Sequence, residues 1–428
     1  MLERFVNTSV FNIFFVISFM MLMFSQLLVI PILLFLFLFI VYLKRFRESF
    51  SLEDIIFYVF ILLSGLSILV ARNREVAIGG VLILILYYIV FYVGRNAKIR
   101  EDILFVSTSL GFVMLAIFGV VFYIFPEFSL IIGLGKANII EIPSSLIFTN
   151  DSIIRSTSIT PNPVIYSSVV LYSIPILVSM LLVLSNSFSR NVDVKLFLLL
   201  ALVVFLIGVV IFTSGSRSIL LISPVSLILV FLILKKNRQI LMSIILFVIV
   251  ITPVVIFSEI LDRIESIFTL TDYSSFLNRL DAIRLSLGIL KDNWLIGVGF
   301  VNFKEYVPSY YGNYLHNLYL SILVETGILG FLSFIALISV ALYKSFRNVI
   351  LGRVDYIKLG AFVSVICFLL HGLIDNTMYV VSLGMMFWFF LGLSCRGDVS
   401  ADEKLVENTW SNSDSRRGLK GISDFSEN

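Results

Sequence analysis

The side chains able to do chemistry in this chain are few, and they sit in short stretches. There are two histidines, His316 in HNLYLSILVETGILG and His371 in HGLIDNTMY. An imidazole titrates near neutral pH and can take the proton of an attacking hydroxyl. A lone histidine at a helix end can equally do no more than hydrogen-bond that terminus. Glu325 follows His316 within the same apolar run, about 13 Å deeper along a helix that rises 1.5 Å per residue. Carboxylates in such runs are costly and are either functional or tightly paired; for Glu325 both readings stay open. Gly327 and Gly330 beside it suit close helix packing.

Arginines supply the second kind of chemistry. Arg279 and Arg284 lie in SSFLNRLDAIRLSLGILKDNW, where Phe276, Leu280, Ile283, Leu287 and Leu290 recur every three or four residues. That period predicts an amphipathic helix resting on a bilayer surface or on a helix bundle. Guanidinium forks bind phosphate oxygens two at a time, which suits a lipid diphosphate; snorkelling to headgroups is the plainer alternative. Arg155 in IIRSTSITPNPVIY and Arg217 in TSGSRSILL each stand alone in a connection between apolar runs. Arg72, Arg74 and Glu75 read as a loop ion pair. Cys367 and Cys395 fall in apolar stretches, where a thiol packs as a small hydrophobe. No Asp-x-Asp pair or His and carboxylate cluster has ligand spacing, so neither a metal nor a cofactor is expected.

The elements that must position these groups are set by composition. Of 428 residues 59% are hydrophobic, 14% are charged and 41 are phenylalanine, far from the usage of a soluble domain. The apolar runs are about as long as a hydrocarbon core is thick, and strand alternation is missing, so the fold class is all-α. The expectation is a polytopic transmembrane bundle of about twelve spans, near 9–25, 27–43, 55–71, 76–93, 103–125, 163–184, 196–213, 218–234, 240–257, 315–342, 358–373 and 378–395. The first apolar stretch runs through Pro31 into the second, so the first helix is expected to stay as an anchor.

Charge then orients the bundle. Of the 31 lysines and arginines, 21 fall on the termini and alternate connections and 10 on the opposite side. The richer side faces the cytoplasm, which places both termini inside. Segments 126–162 and 258–314 become long external loops, the second carrying the amphipathic helix, and loops of such length are often functional. Residues 1–395 form the membrane domain. Residues 396–428, polar and with little to bury, read as a disordered cytoplasmic tail. A net charge of +3 gives no reason to expect nucleic acid as a partner.

Taken in order, RSTSITPNP, TSGSR, NRLDAIRLSL, GVGFVNF, HNLYLSILVETGILG and HGLIDNTMY resemble the O-antigen ligase and polysaccharide polymerase superfamily. The resemblance covers roughly residues 150–393, and its most specific part is HN-x-x-L-x-x-x-x-E-x-G. It implies a metal-independent glycosyltransferase of the bacterial cytoplasmic (inner) membrane, working on the outer leaflet. The donor would be an undecaprenyl-diphosphate-linked glycan, and the acceptor a glycan or a second lipid-linked repeat. It further implies that Arg155, Arg217 and Arg279 hold the diphosphate and that His316 activates the acceptor hydroxyl; Arg284 and Glu325 are expected among the substrate-binding residues. Ser158 departs from the pattern by standing where the family commonly has glycine.

A lipid-glycan flippase or secondary transporter would share the composition. Transporters place ionisable groups near the midplane in several helices, whereas here Glu325 alone is so placed and the other polar groups gather on one face.

Overall fold

The structure, a computed structural model, describes residues 9–24, 28–42, 51–97, 100–125, 156–160, 162–186, 192–257, 273–307, 315–351 and 355–397. Arg155, residues 126–155 and 161 of the first external segment, residues 258–272 and 308–314 of the second, and the tail from 398 lie outside the described residues.

The α-helices are α1 (Ser9–Met23), α2 (Val29–Tyr42), α3 (Leu52–Leu66), α4 (Arg74–Asn96), α5 (Glu101–Ile124), α6 (Pro163–Asn186) and α7 (Val192–Ser214). They continue with α8 (Arg217–Ile233), α9 (Asn237–Phe257), α10 (Tyr273–Asn293), α11 (Leu318–Leu351), α12 (Tyr356–His371) and α13 (Val381–Ser394). Twelve of these coincide with the expected spans, and α10 is the helix expected in the second external segment. Among the described residues seven helices are long and apolar enough to cross a membrane, and five further apolar helices run for 10–17 residues. The architecture is a polytopic helical bundle.

Local sequence starts the helices where they begin. Ser51 and Asp54 form a capping box at the head of α3, with the Ser51 N–H donating to Asp54 Oδ2 at 2.8 Å. Asn73 caps α4 and Asp355 caps α12 through side-chain oxygens that accept backbone N–H groups, filling donors that a helix start leaves open. Between helices, close approach decides contact. At Gly392 of α13 a Cβ would stand 2.1 Å from the Phe91 carbonyl of α4, so only glycine lets these two helices meet so tightly. Trp388 fills the space beside them, its ring 4.6 Å from that of Phe57.

The two ends of the bundle differ. At the end that charge bias assigns to the cytoplasm, Arg95 Nη2 meets Asp54 Oδ2 at 2.8 Å, both side chains buried, and Lys344 Nζ meets Glu53 Oε1 at 3.1 Å. These pairs join α3, α4 and α11, and removing either partner of the first would strand a charge away from water. The opposite end collects the start of α6, the α7–α8 turn, the loop after α10, the start of α11 and the turn after α12. Their common placement follows from contacts. Ser364 of α12 donates to the Tyr172 carbonyl of α6, and Tyr166 near the start of α6 touches Thr213 at the end of α7.

Candidate functional site

His316 precedes α11 in a turn that is fastened to the end of α12. The Leu318 N–H donates to the Gly372 carbonyl at 2.8 Å, and Asn317 Nδ2 donates to the Leu373 carbonyl at 2.9 Å. Asn317 Oδ1 meanwhile accepts the Leu320 N–H and caps α11. The His-Asn pair is thus divided in labour: Asn317 fixes the helix start, and His316 is left facing out. Its Nδ1 lies 3.2 Å from Asp375 Oδ1, with the two side chains 49% and 22% exposed.

In HGLID the spacing offers His371 either an i to i+4 contact with Asp375 or a helix-end hydrogen bond; the side-chain hydrogen bond of Asp375 goes to His316. α12 ends at His371, the chain turns, and the Asp375 side chain leaves the helix register to reach a residue 59 positions away. Burial alone would raise the Asp375 carboxyl. The hydrogen bond and charge of His316, the charge of His371 and the Asn376 N–H bring it net below its ordinary value. An ionised carboxylate only accepts, so the contact is made through a proton on His316 Nδ1. A carboxylate so placed can orient an imidazole for proton transfer.

His371 does something else. It is fully buried, and its Nδ1 sits 2.7 Å from the Tyr172 hydroxyl, which also meets Thr377 at 2.9 Å. The group ties α6 to the end of α12 beneath the Asp375 turn and offers no face to a ligand at the surface.

Glu325 is held inside the protein, 2% exposed. Its Oε2 accepts the Val301 N–H at 2.8 Å and the Tyr379 hydroxyl, and its Oε1 accepts the Phe303 N–H at 3.1 Å. Two residues on, Gly327 has φ 67° and ψ −176°, which breaks α11. Residues 294–299 run alongside the break. Trp294 and Leu295 carbonyls accept the Ile328 and Leu329 N–H groups, while Val298 and Gly299 donate to the carbonyls of Val324 and Glu325. Gly297 (φ 73°) and Gly327 are required there, since a Cβ on either would stand 2.3–2.4 Å from backbone of the other segment. Val301 also takes a positive φ, 64°, unusual for a β-branched residue; the grip of Glu325 on its N–H offsets that strain. Both carboxylate oxygens of Glu325 are thus occupied by protein donors.

The arginines fall in two places. Arg217 opens α8 directly after the TSGSR turn, and that turn is bridged to RSTSITPNP by the Ser156 N–H donating to the Thr213 carbonyl at 2.9 Å. Ser156 is thereby anchored to the end of α7 just before that turn; Arg155 lies outside the described residues. Ser158 has φ 53°, a left-handed conformation natural to the glycine it replaces, and its hydroxyl donates to the Leu115 carbonyl at 2.8 Å.

Arg279 and Arg284 are both exposed on α10, and Arg284 Nη1 meets Asp281 Oδ1 at 3.2 Å. The inward face of α10 differs from the expected stripe. Ala282 and Ser286 are buried, whereas Ile283 and Leu287 are 39% and 48% exposed. Leu285, Ile289 and Leu290 pack beside Ala282 against the loop after α10, while Ile283 and Leu287 face away from it. Arg72, read as part of a loop ion pair, stacks on Tyr306 with its guanidinium carbon 4.2 Å from the ring centre.

Residues 201–335 match the family model described as O-Antigen ligase. The match takes in Arg217, Arg279, Arg284, His316 and Glu325, and it supports the resemblance to the O-antigen ligase and polymerase superfamily. No curated protein matches the chain. Asp375 and His371 lie beyond the matched segment, and geometry alone joins Asp375 to His316. Among the described residues no three of His, Cys, Asp and Glu gather as a metal site would need.

Proposed function

We propose that the protein transfers a glycan from an undecaprenyl-diphosphate-linked oligosaccharide on the outer leaflet of the bacterial cytoplasmic membrane, as a repeat-unit polymerase or a ligase. The observation that carries this reading is the His316–Asp375 dyad, exposed at the bundle end that charge bias places outside, with His316, Arg217 and Arg279 inside the one segment that matches the family model. The acceptor is a sugar hydroxyl on a glycan or on a second lipid-linked repeat. Its oxygen attacks the anomeric carbon of the donor sugar while His316 Nε2 takes the hydroxyl proton. As the new glycosidic bond forms, the bond from that carbon to the diphosphate oxygen breaks and its electron pair leaves with the diphosphate. Arg217 and Arg279, with Arg155, meet the negative charge that develops there. Fixed guanidinium groups stabilise such a leaving group without a metal ion. Asp375 keeps the imidazole in the tautomer that leaves Nε2 free.

The gathering of polar groups at one end favours transfer over transport, which calls for ionisable groups at the midplane. His316→Ala in cells, with protein level matched, tests the reading. Glycan product should be lost while lipid-linked donor still accumulates on the outer leaflet; undiminished product would exclude His316 as the base. In a deletion strain, single-repeat products indicate a polymerase, and full-length chains stranded on the carrier lipid indicate a ligase.

A further inference from the structure

The structure contains a cleft of ≈ 610 Å³ between α10 and the loops that carry Arg72 and Tyr306, a volume within the about 300–1,000 Å³ typical of ligand sites. Both walls are fixed. On one side the Tyr306 hydroxyl donates to the Val70 carbonyl and accepts the Arg72 N–H, each at 3.2 Å, while Arg72 Nη1 donates to the Glu305 carbonyl at 3.3 Å. On the other side α10 presents Asp281, Arg284 and Asp292 along one face. Gly288 lies between them, and a Cβ there would meet nothing within 4 Å.

Charge decides what such a cleft accepts. Two guanidinium groups face two carboxylates, so the lining is neutral overall, and a diphosphate entering it would meet Asp281 and Asp292 as well as the arginines. A ligand rich in hydroxyls is served by both kinds of group, because hydroxyls donate to carboxylates and accept from guanidinium N–H groups. Leu285 and Ile289, also on the lining, suit the C–H faces of a sugar ring.

We propose that this cleft is a saccharide subsite that holds a sugar unit of the glycan, and that Arg284 serves there and not at the diphosphate. The proposal rests on the transferase reading for the identity of the glycan and on the cleft itself for the place of binding. The test uses full-length protein in lipid nanodiscs with two probes: the host's own glycan released from its carrier by mild acid, and bare undecaprenyl diphosphate. Saturation-transfer NMR should show the released glycan binding wild type. Gly288→Trp, which fills the cleft from an exposed helix position, and Arg284→Ala should each weaken that binding at least tenfold while bare undecaprenyl diphosphate binds as before. Glycan binding undiminished in both variants, or absent from wild type, overturns the proposal, as does loss of bare diphosphate binding in Arg284→Ala. In turnover assays, a raised KM for lipid-linked donor alone assigns the cleft to the donor glycan, and a raised KM for acceptor alone assigns it to the acceptor. A wild-type protein that binds released glycan but transfers none would remove the transferase reading and leave the cleft standing.

Discussion

Replacing Asp375 by Asn isolates the one contact that distinguishes a working base from a surface histidine. Asparagine keeps the size of the side chain but offers an amide in place of a carboxylate, so the His316 Nδ1–H can lose its charged acceptor and the ring can take the other tautomer. A hydrogen bond to a charged group contributes about 1.5–3 kcal/mol when sheltered. His316 is 49% exposed and Asp375 22%, so water competes and the lower end of that range applies. About 1.5 kcal/mol is close to a tenfold loss of rate, against about a hundredfold or more for removing the base itself in His316→Ala. The decisive assay is a double-mutant cycle on purified protein with lipid-linked donor and acceptor. The two residues act as a unit, so Asp375→Asn should cost kcat in the wild-type background and nothing further beside His316→Ala. Additive losses in the double variant, or unchanged kcat in Asp375→Asn, would refute the orienting role.

Other outcomes follow from the same geometry. Glu325→Ala leaves the Val301 and Phe303 N–H groups and the Tyr379 hydroxyl without their acceptor, at about 1–3 kcal/mol for each group stranded; a thermal-unfolding scan in detergent should show a large drop, and Glu325→Gln a smaller one. Arg217→Lys and Arg279→Lys should each lose about tenfold to a hundredfold in turnover, because lysine keeps the charge and loses the fork; full activity at normal protein level would remove them from the diphosphate. His371→Ala opens a cavity beside Tyr172, so abundance should fall by more than turnover per folded molecule, which quantitative blotting set beside turnover will separate. The Asp375 carboxyl is held below its ordinary value, so its pairing stabilises the fold at neutral pH and fades as pH falls through the lowered value; the stability gap between wild type and Asp375→Asn should close below about pH 4.

The membrane architecture was legible because it is written in runs of single residues' hydropathy, and twelve apolar helices stand where the runs place them. What the runs leave out is direction. Around α10 the spacing of Leu280, Ile283 and Leu287 identifies an amphipathic helix, but in a bilayer a large apolar side chain is content facing lipid, and Ala282 and Ser286 turn inward instead. The dyad was half legible. His316 stands out by type and context, while Asp375 looks local to His371 because i to i+4 spacing is the contact a sequence displays most readily. Only the end of α12 at His371, and the docking of the His316 turn upon it, reveal the partner. Arg72 was hidden for a similar reason, since Tyr306 lies 234 positions away. For Glu325 sequence posed two alternatives, and its three protein donors show what occupies its carboxylate.

The break at Gly327 bears on how the protein is made. A helix interrupted inside a bilayer exposes backbone groups that lipid cannot satisfy, and in α11 those groups are met by residues 294–299. That loop leaves the ribosome before α11 does, so the groups that complete the broken helix are already made when it arrives. Synthesis order and hydrogen-bond pairing therefore agree, and α11 reaches its final depth only by docking on that loop. A circular permutant that delivers α11 before this loop should insert poorly even though every residue is retained.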